Sequence, residues 1–210
     1  MADLFSLKIL PDKSELFLKK FENGIGKISS KSLANHVNLY KNLLEEANNL
    51  AKECNEYVGR WLSSQPLEES PKNELAFSGI GQWYSLYGRI KSHELYFSGL
   101  NKNGSCEGKI KDLLESNFKS IENFKLDLKL KALHTSGWVW TVLDHSTGEL
   151  FNIPSNREDA FPFAGMNALI ALDLAEHAYE PDFNQDKEGY IEEFLNALDW
   201  QEIEKNLPLM

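Results

Sequence analysis

A chain of 210 residues that is 42% hydrophobic is long enough to bury a sizeable core, so one compact domain or two small packed ones is the natural expectation. Asp and Glu number 32 against 22 for Lys and Arg, a formal charge of −10 that by repulsion disfavours nucleic acid and anionic membranes as partners. No stretch approaches the roughly 20 apolar residues of a membrane span, and the opening MADLFSLKILPDK lacks the basic-then-apolar pattern of a secretory signal, so with only two cysteines the cytoplasm is the expected compartment.

In chain order, residues 29–63 read as one long helix. Ser29 and Ser30 are available to cap it, and Leu33, His36, Tyr40, Leu43, Leu44 and Ala47 recur at spacings of three and four. Residues 65–72, with Pro66 and Pro71, read as a turn, and residues 74–100 are again helical in pattern despite Gly79, Gly81 and Gly88. The polar, glycine-bearing stretch LNKNGSCEG over 100–108 makes the best domain boundary. The expected division is a helical hairpin domain over 1–100 and an α+β domain over 101–210. Beyond it come two helical segments over 109–116 and 120–134, then a strand over 137–143. A turn at 146–148 leads into a second strand over 150–153, and a third apolar run covers 168–174. A polar turn should follow, then helical pieces over 188–198 and 200–207. The fold class is therefore α+β, an N-terminal helical hairpin followed by a C-terminal α/β unit with a three-stranded antiparallel sheet.

Chemistry-bearing residues are few. Of the five histidines, His134 falls at a helix end and His145 beside a turn, both natural places for solvated imidazoles. His36 and His93 instead sit within helices among apolar neighbours, where an imidazole needs a partner. Asp173 and His177 form the pattern D-L-A-E-H at the end of the third apolar run. The bland reading of that pattern is an Asp that ends a strand and caps the next helix, with the His exposed. The alternative is convergence of all four on one ion. Three neutral imidazoles and a carboxylate suit iron or manganese, since an anionic oxygen favours the trivalent state and no thiolate is present to select zinc or copper(I).

The segment SGWVWTVLDHSTGELFNIPSN resembles the S-G-W-x-W strand and hairpin of the iron/manganese superoxide dismutases. DLAEHAYEPDFNQDKEGYIEEFLNALDW resembles that family's D-x-W-E-H-A-Y region, ISSKSLANH its first helix start, and HELYFSGL its H-x-x-[FY]-[WF]-x-x-L. The resemblance runs from about residue 28 to residue 200, with an uncertain stretch over 48–90. It implies one iron or manganese ion per chain, held between the two domains by His36, His93, Asp173 and His177, with superoxide as substrate. It also implies a homodimer in which Glu176 of one subunit reaches His177 of the other, with Tyr179 in the same motif, and Trp138 packed against the ligands to keep water away.

Several surrounding positions depart from that pattern. Leu44 stands where the family has its gate tyrosine, Ala175 replaces the tryptophan of D-x-W-E-H, and Glu180 replaces a second tyrosine. The glutamine that the family places near the metal is Arg89 at one of its two known positions and Arg157 at the other. Gln82 lies eleven residues from His93, about 16 Å along a helix, which is too far. Tyr40, one helical turn from His36, and Arg157 are the substitutes expected to serve catalysis, while both arginines read equally well as surface ion-pair residues. Two further readings follow from these losses: a family member that keeps the metal but acts as a binding or structural dimer, and a different small-molecule oxidase or peroxidase.

Overall fold

The computed structural model describes residues 6–63, 71–101, 104–161 and 165–208. Helices α1 (Ser14–Lys20), α2 (Ser30–Ser63) and α3 (Pro71–Ser98) come first, followed by α4 (Gly108–Phe118) and α5 (Ile121–Leu133). Strands β1 (Trp138–Asp144), β2 (Leu150–Ser155) and β3 (Met166–Asp173) form one antiparallel sheet in the order β2-β1-β3. Helices α6 (Glu176–Phe183), α7 (Lys187–Asn196) and α8 (Trp200–Lys205) complete the chain. The expected α+β class, helical first and then carrying a three-stranded sheet, is what the molecule has.

Helix α2 starts where the Ser29 hydroxyl accepts from the Ser32 amide at 3.1 Å, which satisfies one of the first-turn donors that a helix cannot pair internally. Its stripe of Leu33, Val37, Tyr40, Leu44, Ala47 and Ala51 is buried and faces α3. The segment before α1 is fastened to α2 by two asparagines. Asn48 accepts from the Leu10 amide at 2.7 Å and donates to the Leu10 carbonyl at 2.9 Å, and Asn55 repeats both bonds with Leu7 at the same distances. Helix α1 has only seven residues, too short to be stable alone; it is held by Phe17, whose ring lies 5.0 Å from Phe97 and 5.7 Å from Tyr40.

Two expectations are corrected. Pro71 and Lys72, read as part of a turn, begin α3, because the fixed φ and missing N–H of proline suit the first helical residue; residues 65–70 lie outside the described residues. The polar turn expected after residue 174 is helix α6. Pro181 inside it removes one helical hydrogen bond and so reads as a breaker. The helix survives through tertiary support, with Ala178 buried and the Asp173 carboxylate accepting from the Ala175 amide at 3.0 Å ahead of the first turn.

Central strand β1 is buried along WVWTVL, the continuous pattern of a strand covered on both faces. Its one hydroxyl, Thr141, donates to Asn152 at 2.7 Å, and Asn152 donates to Asp127 at 2.9 Å, so no polar atom of that chain is buried without a partner. Gly137 precedes the strand because the exit of β2 crosses there: a Cβ at Gly137 would lie 2.6 Å from the Ser155 carbonyl oxygen. In the β1–β3 register Trp138 is opposite Asp173. A single hydrophobic core runs from Leu10 to Ile203, α3 packs on β3 and α2 on α6, and those contacts bring the C-terminal end of β3 against the middle of the helical hairpin.

Candidate metal centre

At that junction four side chains from four elements meet: His36 from α2, His93 from α3, Asp173 from the last position of β3 and His177 from the first turn of α6. Their ligand-type atoms all lie within 4.8 Å of one another. His36 Nε2 and His177 Nε2 are each 3.2 Å from Asp173 Oδ2, and His93 Nε2 is 3.6 Å from the same oxygen. Asp173 and His177 are four residues apart across a strand end and a helix start, so the chain reversal turns both toward one point. His36, His93 and Asp173 are buried, whereas the His177 side chain is 28% exposed and forms the edge facing solvent.

The donor chemistry is fixed by what lies behind the rings. His93 Nδ1 is 2.7 Å from the Arg89 carbonyl oxygen, which can only accept, so Nδ1 carries the proton. In the neutral ring Nε2 then carries a lone pair. Burial, followed by the neighbouring His36, pushes the His93 pKa down to about 3, so the ring is neutral. His93 Nε2 is therefore a buried lone pair with no hydrogen-bond partner among the described residues, aimed at a carboxylate oxygen. Burial also lowers His36 in spite of Asp173. At Asp173 burial alone would raise the pKa, but the bonds from His177 and His36 outweigh it and hold the carboxyl well below its usual range. Burial opposes the charged form of His177 too, and there the Asp173 carboxylate wins and raises it.

An anion faced by two neutral imidazoles, one of them a lone-pair donor with no proton to give, is unfavourable unless a cation lies between them. The spacing fits that solution. Ligand atoms about 2.1 Å from one ion and 90–120° apart are separated by about 3.0–3.6 Å, and the three nitrogen-to-oxygen distances are 3.2, 3.2 and 3.6 Å.

A wall of aromatic side chains backs the cluster. Trp138 packs edge-on to His93 at 5.1 Å, while Tyr96 and Phe97 lie 4.9 and 5.0 Å from the His36 ring. Trp138 and Trp140 stack at 6.1 Å on one face of β1, as alternation requires. Behind Tyr96 runs a chain that sequence reasoning missed. Tyr190 must donate to the Asp173 carbonyl at 2.9 Å, so the 3.2 Å contact between the hydroxyls has Tyr96 donating to Tyr190. The chain fixes the backbone of Asp173 and the ring that supports His36. Tyr96 stood in the HELYF motif and Tyr190 in GYIEEF, but nothing in either string tells a core phenol from a supporting one.

Other residues singled out in the sequence take the following positions. The Tyr40 hydroxyl donates to Glu94 at 3.3 Å, and Glu94 is also paired with Lys13 and Lys91 at 2.9 Å each. The Arg157 side chain is 76% exposed and gives two hydrogen bonds to Asp159, at 2.8 and 2.7 Å, the ion-pair arrangement that was its alternative reading. Gln82 donates to Glu46 at 3.2 Å. Ala175 is buried, Glu176 exposed, and Tyr179 rests against Tyr190 at 5.9 Å. His134 and His145 are exposed.

A helical hairpin joined to a three-stranded antiparallel sheet, with a largely buried His/His/Asp/His cluster at the junction, is an arrangement able to hold one metal ion. The family model for iron/manganese superoxide dismutases, C-terminal domain, matches residues 106–206. Relatives include the iron superoxide dismutase of Legionella pneumophila, 29% identical over 183 residues that cover 84% of this chain and 93% of that protein. The manganese superoxide dismutase of Haloarcula marismortui is 30% identical over 121 residues, and that of Salmonella typhimurium 33% over 121 residues. Those two matches take in about half of this chain (55% and 53%), and the chain spans 60% and 57% of the relatives' lengths. The C-terminal half of the chain, residues 106–206, belongs to the iron/manganese superoxide dismutase family.

Proposed function

We propose that the protein is a superoxide dismutase holding one iron or manganese ion through His36, His93, Asp173 and His177, at the junction of a helical domain over 1–100 and an α+β domain over 101–210. The observation that carries this reading is the His93 ring: its proton is fixed on Nδ1 by the Arg89 carbonyl, and its Nε2 lone pair is buried against Asp173 Oδ2. When bound, either metal supplies a one-electron couple, so that two superoxide ions and two protons become dioxygen and hydrogen peroxide.

The residues themselves do the rest. Asp173 brings the single negative charge that favours the trivalent ion, and the three imidazoles bring neutral nitrogen donors. The Arg89 carbonyl and the Tyr96–Tyr190 chain hold His93 and the Asp173 backbone in place, the role that outer partners play at metal sites. Trp138 packs against His93, and Tyr96 and Phe97 against His36, so the 28% exposed His177 side chain is the edge open to a small anion. A homodimer in which Glu176 of one subunit meets His177 of the other accords with the exposed Glu176 and the 28% exposed His177 side chain, and the cytoplasm is the compartment that belongs to this reading.

A second reading, metal retained without turnover in a binding or structural dimer, is favoured by one observation. Tyr40 and Arg157, the substitutes for the family's usual groups, are bonded to Glu94 and Asp159. Assay of superoxide removal, peroxide metabolism and oxygen consumption on one sample of known metal content separates the readings. The dismutase reading expects about one iron or manganese per chain and superoxide loss well above that of the free metal. Stoichiometric metal with no such activity overturns dismutation in favour of the second reading.

A further inference from the structure

Among the described residues two acidic side chains are buried, Asp173 and Glu94, and the ligand set does not account for the second. Glu94 follows His93 directly on α3, and Tyr40 lies one helical turn after His36 on α2. Tyr40 is fully buried, and its hydroxyl donates to Glu94 Oε1 at 3.3 Å. A single hydrogen bond therefore ties the two helices together next to the ligand that each carries. Glu94 Oε2 accepts from Lys13 and from Lys91, each at 2.9 Å, and those two side chains stay 40% and 28% exposed. Lys13 stands between the Leu10 backbone that Asn48 clamps and Phe17, whose ring meets those of Tyr40 and Phe97. Phe97 in turn lies 5.0 Å from the His36 ring and 6.2 Å from that of His93.

We propose that Glu94, braced by Tyr40 and Lys13, is a positioning residue for the candidate metal centre: it fixes α3 against α2 in the one register that sets His36 and His93 at the separation a shared ion needs. The rings of that pair are 5.1 Å apart and edge-on. The inference rests on the metal-centre reading and deepens it by giving a role to residues outside the ligand set. Burial of a carboxylate, even a paired one, costs more than burial of an apolar side chain of similar volume, so packing alone does not explain Glu94. The rest of the α2 face is the apolar stripe from Leu33 to Ala51. Burial of apolar surface is non-directional, so the stripe holds the helices together without fixing how far one slides along the other. A hydrogen bond weakens steeply once its angle is lost, and the Tyr40–Glu94 bond therefore admits one alignment. The two lysines supply the opposite charge that a buried carboxylate requires and hold it in place as the acceptor. Tyr40 then acts on the site through Glu94 and not as a group that reaches substrate.

The test loads the full chain with iron and follows its release to a chelator, together with the electron paramagnetic resonance of the ferric ion, which reports the symmetry of its ligands. Y40F removes the bond between the helices and keeps the ring and both ion pairs. It is expected to release iron about tenfold faster, the lower end of the loss for an outer partner, and to broaden the ferric signal as the ligand geometry becomes heterogeneous. K13M should release iron about threefold faster, the effect of losing one partly exposed ion pair, and K13R should restore the wild-type rate. Y40F/E94L should also release iron about tenfold faster. Its metal-free form should unfold in urea at the wild-type midpoint or above it, since apolar replacement of a buried ionic group is often neutral or stabilising. Release from Y40F and Y40F/E94L within about twofold of wild type, with an unchanged ferric signal, overturns the positioning role. A midpoint that falls in step with faster release assigns the effect to general stability and overturns it as well. A wild-type chain that takes up neither iron nor manganese overturns the metal-centre reading and the positioning role with it.

Discussion

D173N should fold and yet retain almost no iron or manganese. Asp173 supplies the cluster's only negative charge, and one of its oxygens, Oδ2, faces all three imidazoles. Asparagine keeps the shape and, through its carbonyl oxygen, the bond that Oδ1 accepts from the Ala175 amide at 3.0 Å, so the start of α6 survives. It removes the anionic donor that a hard trivalent ion requires. Loss of an outer partner alone costs about 10–100-fold in metal affinity, so loss of this ligand should exceed about 100-fold. Elemental analysis after dialysis, with circular dichroism to confirm the fold, reads the result. A folded D173N chain with wild-type metal content would remove Asp173 from the ligand set.

W138A should show the largest loss of stability among single changes near the site, about 3–5 kcal/mol in urea unfolding of the metal-free chain. The indole is 1% exposed, stacks on Trp140, packs against His93 and lies opposite Asp173 in the strand register. Removing it opens a cavity beside a buried histidine and leaves the Glu158 carbonyl without its donor. W138F keeps a ring against His93 and should recover most of the packing, with a residual loss of about 1–3 kcal/mol for the missing hydrogen bond. An unfolding midpoint in W138A equal to wild type would show that the indole's packing against the cluster adds nothing to stability.

The long helices were legible because both periodicity and capping chemistry are local. Ser29 and the stripe from Leu33 to Ala47 are sufficient to place α2. The sheet was legible for a similar reason, since the WVWTVL run and the turn before Leu150 carry their own patterns. Helix α6 was not, because Pro181 signals a break and the forces that overrule it, burial of Ala178 and the Asp173 carboxylate, are tertiary. At the site, imidazoles within apolar stripes are conspicuous, so His36 and His93 could be singled out. The Tyr96–Tyr190 pair could not, because it joins residues 94 positions apart and a phenol inside a helical stripe reads as core. The contrast between Arg89 and Arg157 was hidden for the same reason. Only folding shows that Asp159 takes the fork of one, whereas Glu158 leaves the Nε of the other unused.

The central claim, that His36, His93, Asp173 and His177 hold one redox metal ion, is tested most directly by anomalous diffraction at the iron and manganese absorption edges, on crystals of freshly purified protein. The account predicts a single strong peak per chain at one of those edges, enclosed by the three Nε2 atoms and Asp173 Oδ2. Metal-bearing crystals whose peak lies elsewhere, or falls at the zinc edge alone, would contradict it.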